Sequence, residues 1–347
     1  MPPVPELFVT NYNPNFTGVS ATAANVIRQQ MQHHDLALVG RPLPGCPDPL
    51  TPAQAHLACR QGAPENRPFA IWHVRRNPEM RSAIWLRDMR RAPIRIVFTS
   101  AAQRLHSAYP RWLISRMDAV IATTDRAAEF VPHVRAVVPH GVDTDLFTPA
   151  PDRAAAWRAL GFGGSRGIAT VGRIRPEKGT DVFVEAMLRF LPDHPDVTAL
   201  VVGRAGGKFE SYLTRLRNRV AAAGLTDRLR FVGEMPAPDL PALMRALSLV
   251  MQLPRYEGYG MVPLEGLASG TPFVGSEAGY YRSFSDAGKV GTIVPLDNAE
   301  AAAAAARALL DRTDMIAGAA RETALTRFSA RAEAEGIDAV YQSLWQG

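Results

Sequence analysis

The sequence has few cysteines, lysines and aromatic side chains. Its two cysteines, Cys46 and Cys59, offer neither a disulfide framework nor metal-ligand spacing, so both are expected as free thiols in a reducing compartment. No apolar run reaches the roughly 18 residues that a membrane-spanning helix requires. The opening MPPVPELFVT has no basic stretch followed by an apolar one, so no secretory signal is expected. Helix-turn-helix, RRM and zinc-finger patterns are missing, and nucleic acid is not an expected partner. No G-x-G-x-x-G follows the first candidate strand of either half, which argues against a nicotinamide dehydrogenase.

A chain of 347 residues with 47% hydrophobic and 21% charged side chains suits two α/β domains of similar size. The net charge is +6, and the basic residues are mostly arginine. They are densest in RRNPEMRSAIWLRDMRRAPIR, residues 75–95. A polyanion, an anionic membrane surface or a phosphorylated substrate would each suit this segment, and so would a merely solvated face.

Short apolar runs alternate with helical stretches from end to end. In the first half the expected strands are 6–10, 36–40, 69–73, 94–99, 118–123 and 135–139, with helices at 21–32, 78–89 and 127–131. In the second half they are 167–173, 197–203, 229–233, 248–252, 271–275 and 291–295, with helices at 178–190, 210–223, 237–246 and 262–269. Helical sequence resumes at 298–311 and 328–345. This alternation predicts parallel, doubly wound sheets. The Pro-, Gly- and Asp-rich segment around 147–152 marks a linker, dividing the chain into 1–148 and 149–347, with the last helix free to pack back on the first domain. Ligands in such sheets bind beyond the carboxyl ends of the strands, so a cleft between the two domains is the expected site.

The informative residues follow strands. In RYEGYGMVPLEGLASGTPFV, Glu257 lies in a loop, a helix opens at about Gly260, and Glu265 lies within that helix. Free N–H groups at a helix N-terminus suit a diphosphate, contributed here by Met261 and Val262. Gly258 and Gly260, around Tyr259, let backbone approach a ligand. A loop carboxylate can accept hydrogen bonds from sugar hydroxyls, and one inside the helix from a ribose diol. In VGRIRPEKGTDVFVEAM, Arg173 and Lys178 frame a turn after a strand, and two cations there can hold phosphate oxygens. Gly18 and Val19 sit in a loop after the first strand, before a helix. Asp143-Thr144-Asp145 has the outline of a D-x-D metal motif but is read as a linker turn. His73 ends a strand just before Arg75 and Arg76, and these three are candidates for an acceptor contact.

The string EGYGMVPLEGLASGTP, with GRIRPEKG and HGVDTDLFTP, resembles glycosyltransferase family 4, the retaining GT-B enzymes. The resemblance implies two Rossmann-like domains with a cleft between them. It places Glu257 on the transferred hexose, Glu265 on the ribose, and Arg173 and Lys178 on the diphosphate, with no metal and no other cofactor required. Two departures stand out. Thr17-Gly18 replaces the usual glycine pair, and Phe98, Thr99 and Ser100 occupy the place where many members carry a histidine. Strings such as WHVRRNPEM and RIVFTSAAQR look like the bacterial lipopolysaccharide core mannosyltransferases. That branch implies GDP-mannose as donor and a Kdo–lipid A glycolipid as acceptor, at the cytoplasmic face of the inner membrane, without a stable protein partner. The alternatives are another donor such as UDP-glucose, or a catalytically silent sugar-binding protein on the same fold.

Overall fold

The computed structural model describes residues 3–15 and 17–347. Its chain forms two compact units. The first comprises the residues up to Gly141 together with Phe328–Gly347, and the second is Val142–Arg327. The division therefore falls earlier than the expected 148, and the last helix belongs to the first unit.

The first unit holds strands β1 (Leu7–Asn11), β2 (Leu36–Gly40), β3 (Ala70–Val74), β4 (Ile94–Ser100), β5 (Ala119–Ala122) and β6 (Val134–Val137). They form one parallel sheet in the order β2-β1-β3-β4-β5-β6. Its helices are α1 (Gly18–Gln30), α2 (Pro52–Cys59), α3 (Asn77–Ile84), α4 (Ala108–Ile114) and α5 (Asp125–Ala128). A π-helical turn, Trp85–Met89, extends α3. Both faces of the sheet are covered. Phe8, Trp72, Ile96 and Val120 pack with α3 and α4 on one face. Leu7, Val9, Ile71 and Val97 pack with α1 and the final helix on the other. Strands buried on both faces read as continuous apolar runs, which is why LFV and AIW were recognisable.

The second unit holds α6 (Arg153–Leu160), α7 (Thr180–Phe190), α8 (Glu210–Ala222), α9 (Leu240–Ala246), α10 (Met261–Ala268), α11 (Tyr281–Phe284), α12 (Ala299–Leu310) and α13 (Thr313–Arg327). They surround strands β7 (Arg166–Val171), β8 (Val197–Val202), β9 (Leu229–Gly233), β10 (Leu249–Gln252), β11 (Phe273–Ser276) and β12 (Gly291–Val294). The parallel order is β12-β11-β10-β7-β8-β9. The final helix, α14 (Ala330–Gln346), returns to the first unit, where Ile337, Val340 and Tyr341 enter its core.

All twelve strands lie where the sequence placed them. Five helices, α2, α4, α6, α11 and α13, fall outside the expected helical stretches. α6 begins inside the expected linker region, started by the Asp152 side chain accepting from Ala155 N at 2.9 Å. α13 buries Thr313, Ile316, Ala320, Thr323 and Ala324, a face of small side chains that carries little apolar periodicity. His140 and Gly141, where the chain leaves the first unit, are bound at 2.7 Å each to the two oxygens of Glu333 on α14. Asp143 spends its carboxylate on a turn, accepting from Asp145 N and Leu146 N at 3.1 and 3.0 Å.

Much of the arginine excess ties the backbone together. Arg321 donates to the carbonyls of Phe147 and Ala268 at 2.7 Å and of Thr144 at 2.8 Å. Arg153 holds Gly270 O at 2.9 Å and Thr271 Oγ1 at 2.8 Å. A planar fork of five donors reaches carbonyls in several fixed directions, where a lysine has three donors on one nitrogen.

Candidate active site

In the second unit the winding reverses between neighbouring strands β7 and β10. Loops leaving those two carboxyl ends diverge to opposite faces and leave the crevice in which open α/β sheets take ligands. Both second-half motifs sit there, since Arg173 closely follows β7 and the loop 253–260 follows β10.

The two loops touch through backbone. Gly179, at φ +65°, ends a 3₁₀ turn (Pro176–Lys178), and a Cβ there would lie 1.8 Å from the Leu253 carbonyl oxygen. This close approach brings Lys178 Nζ to 2.5 Å from Glu257 Oε2, although the residues are 79 positions apart. Glu257 also accepts from Gly258 N at 3.1 Å. The pair is partly exposed, at 25% and 20% for the two side chains, so a ligand can reach it. Arg173 is exposed and has no hydrogen bond or ion pair among the described residues.

Gly260 caps α10 with φ +92° and ψ +84°, and a Cβ there would sit 2.3 Å from the Tyr281 ring. Backbone conformation and packing thus both require glycine. The first turn of α10 has no acidic residue and no side-chain cap, so the N–H groups of Met261 and Val262 remain for a ligand, and Pro263 has none to satisfy. Tyr259 is buried, its ring stacked on Tyr280 with centroids 5.5 Å apart, so it can offer a ligand little beyond its backbone.

Glu265 lies one turn into α10. Its carboxyl has no hydrogen-bond or ion-pair partner among the described residues, and burial pushes its pKa up to about 7. A desolvated carboxyl without a partner is a group for which a ligand would supply the missing hydrogen bonds.

Arg255 went unassigned in the sequence, although it sits at the start of the motif. Its guanidinium grips Asp181 through two bonds of 2.9 and 2.7 Å, and its Nε reaches Asp297 at 2.7 Å. Its backbone N donates to the Glu177 carbonyl at 3.0 Å. Burial alone would raise the Asp181 carboxyl, but hydrogen bonds from Arg255 and Tyr212 outweigh it and hold the pKa below the ordinary value. Arg255 therefore fastens the Lys178 loop to the Glu257 loop. Opposite charges at the edges of both motifs were the available signal.

In the first unit the winding reverses between β1 and β3. Arg76, just after β3, spans this point. It donates to Asn11 Oδ1 and Glu79 Oε1 at 3.1 Å each, to Thr17 Oγ1 at 3.2 Å and to Ser20 Oγ at 3.0 Å. It thereby fixes the start of α1, of which Gly18 and Val19 are the first two residues and not, as expected, part of the preceding loop. A Cβ added at Gly18 would meet nothing within 4 Å, which leaves open space over the α1 N-terminus, and Val19 is exposed beside it. Arg75 is buried, with Nε and Nη1 lacking partners among the described residues, and its backbone N donates to Glu79 Oε2 at 2.8 Å.

His73 requires a correction. It is fully buried, with Nδ1 on the Tyr341 hydroxyl and Nε2 2.7 Å from Thr99 Oγ1. Burial first, then Arg75, holds its pKa well below the ordinary range. Both ring nitrogens are engaged within the core, so His73 packs α14 against the sheet rather than facing an acceptor.

Comparison with known proteins bears on this geometry. Residues 157–323 match the family model described as glycosyl transferases group 1. The chain is 40% identical to the lipopolysaccharide core biosynthesis mannosyltransferase LpsB of Rhizobium meliloti (strain 1021), covering 98% of this chain and 97% of that one. It is 39% identical to LpcC of Rhizobium leguminosarum bv. viciae, which carries the same description, over 98% and 96% of the two chains. Among solved structures, Anabaena Alr3699/HepE in complex with UDP superposes with a TM-score of 0.80 over 97% of this chain and 100% of that one, at 17% identity.

Proposed function

The chain belongs to the group 1 glycosyltransferases, and on that premise we propose that it transfers mannose from GDP-mannose to the Kdo–lipid A inner core of lipopolysaccharide, with retention of configuration. The fold is GT-B, as the sequence resemblance implied. Mannose and the lipopolysaccharide core come from the two mannosyltransferase relatives, each matched over nearly its whole length. The likeness to the UDP complex, at 17% identity, speaks to fold alone.

The observation that carries the chemistry is the Lys178–Glu257 contact of 2.5 Å at the β7/β10 reversal, with Glu265 one turn into the adjoining helix. On this reading the diphosphate draws Lys178 away from Glu257 and takes a second cation from Arg173. Glu257 is then free to accept from the hexose hydroxyls, and Glu265 accepts from the ribose diol. The acceptor oxygen bonds to the anomeric carbon as the bond from that carbon to phosphate oxygen breaks. The departing diphosphate receives the acceptor proton, and its growing charge is met by fixed cations and the N–H groups of α10. Arg173 and Lys178 bring the positive charge that a metal would otherwise supply. The work takes place at the cytoplasmic face of the inner membrane, with the enzyme held peripherally. No helix among the described residues is long and apolar enough to cross a bilayer.

A thermal-shift panel with GDP, UDP, ADP and their sugars, with and without EDTA, tests the donor. A ligand at a hundredfold excess over its Kd stabilises the folded state by about 2.7 kcal/mol. A shift with GDP and GDP-mannose that survives EDTA is expected. A shift with UDP alone would remove the mannose donor, and no shift with any nucleotide would favour a silent sugar-binding protein. A product of inverted anomeric configuration would overturn retention.

A further inference from the structure

The layer of the first unit built from α3, its π-helical turn and α4 has an outward face that the transfer chemistry does not use. Residues 81–117 carry eight arginines and one acidic residue, Asp88. On the inward side, Met80, Ala83 and Leu86 share one core cluster with Leu113 and Ile114. The two segments are tied side by side, since Arg87 donates to the Arg116 carbonyl at 2.9 Å and Arg116 reaches Asp88 at 2.6 Å. Four of their outward positions are large and apolar or aromatic. Trp85 is 43% exposed, Met89 72%, Tyr109 51% and Trp112 55%, with the rings of Tyr109 and Trp112 stacked.

The arginines of this segment divide into two groups. Arg87, Arg95 and Arg116 are held in ion pairs with Asp88 and Asp118. Arg81, Arg90, Arg91, Arg104 and Arg111 are exposed and have no carboxylate partner among the described residues. Arg90 lies over the Trp85 ring at 4.6 Å.

We infer that this face is a docking surface for an anionic lipid bilayer. Tryptophan and tyrosine settle at the headgroup level, where one edge of the ring is wet and the body is not. Unpaired arginines beside them meet lipid phosphates. A second copy of the chain would also cover the apolar side chains, but a symmetric pairing would set five unpaired cations against five more. The inference rests on the reading that the acceptor is carried by a lipid.

Co-sedimentation of the full chain with vesicles tests it. Binding is expected to phosphatidylglycerol–phosphatidylethanolamine vesicles and not to phosphatidylcholine, with loss at high salt. Trp72, Trp157 and Trp345 are buried, so a blue shift of emission on vesicles reports Trp85 and Trp112. Trp85→Ser with Trp112→Ser lowers partitioning by about tenfold or more. Arg90→Gln, Arg91→Gln and Arg104→Gln together lower it about a hundredfold, at about fivefold per arginine. Both variants should keep their melting temperature and their transfer to a water-soluble acceptor fragment. Equal binding to neutral vesicles, wild-type binding by both variants, or a dimer that the variants dissociate would each overturn the inference. Vesicle binding without sugar transfer would instead leave this surface standing and remove the transferase reading.

Discussion

Replacing Glu265 by glutamine removes a carboxyl group that the fold holds without a partner. Its pKa is raised from the ordinary 4.5 to about 7 by burial. Below pH 4.5 the group is protonated in both the folded and the unfolded chain. Between there and pH 7 the unfolded chain releases the proton while the folded chain keeps it, so wild-type stability falls as pH rises through that window and stays lower above it. At 1.36 kcal/mol per pH unit the cost at pH 8 has an upper bound of about 3.4 kcal/mol. The side chain keeps some solvent access, so water relieves part of the desolvation and the expected figure is about 1–2 kcal/mol. Glu265→Gln should therefore be more stable than wild type at pH 8 and close to it at pH 5. Urea unfolding at the two pH values, without nucleotide, measures this, and the melting temperature should rise by about 2–4 °C per kcal/mol. The same change should weaken nucleotide-sugar binding about tenfold, because an amide offers one acceptor oxygen where a carboxylate offers two. A Glu265→Gln variant that is less stable at pH 8, or whose stability relative to wild type does not depend on pH, would refute the reasoning and show that the carboxyl is stabilised within the fold.

Gly260→Ala should destabilise the second unit by about 3 kcal/mol, since the new Cβ meets both a φ of +92° and the Tyr281 ring; urea unfolding without ligand reads this directly. Arg255→Met should cost only about 1 kcal/mol, because Arg255 and Asp181 are each about a third exposed. It should still lower kcat/KM about a hundredfold by letting the Lys178 and Glu257 loops separate. Arg255→Lys should restore little of that loss, since lysine cannot make the two-pronged contact.

Local pattern made a good part of this molecule legible. The strands stand out because each is a short apolar run closed by glycine, proline or polar residues, as in LALVG and VTALVVG. Lys178, Glu257 and Glu265 could be singled out because their motifs are contiguous strings. α13 was missed because alanine and threonine make its buried face. His73 was misjudged because a histidine at a strand end reads the same whether it turns toward solvent or toward Tyr341. Arg255 was passed over because its partner Asp181 lies on the other motif.

The sequence by itself therefore determined the α/β class, the succession of strands along the chain, the motif-bearing loops and the family. The tertiary structure alone decided which groups meet and in what medium. It set the reversals at β1/β3 and β7/β10, joined Lys178 to Glu257 across 79 residues, gave α14 to the first unit, and separated the arginines tied to the fold from those left at its surface. It also set the proton affinity of Glu265, because desolvation depends on everything packed around a group and is written in no single stretch of chain.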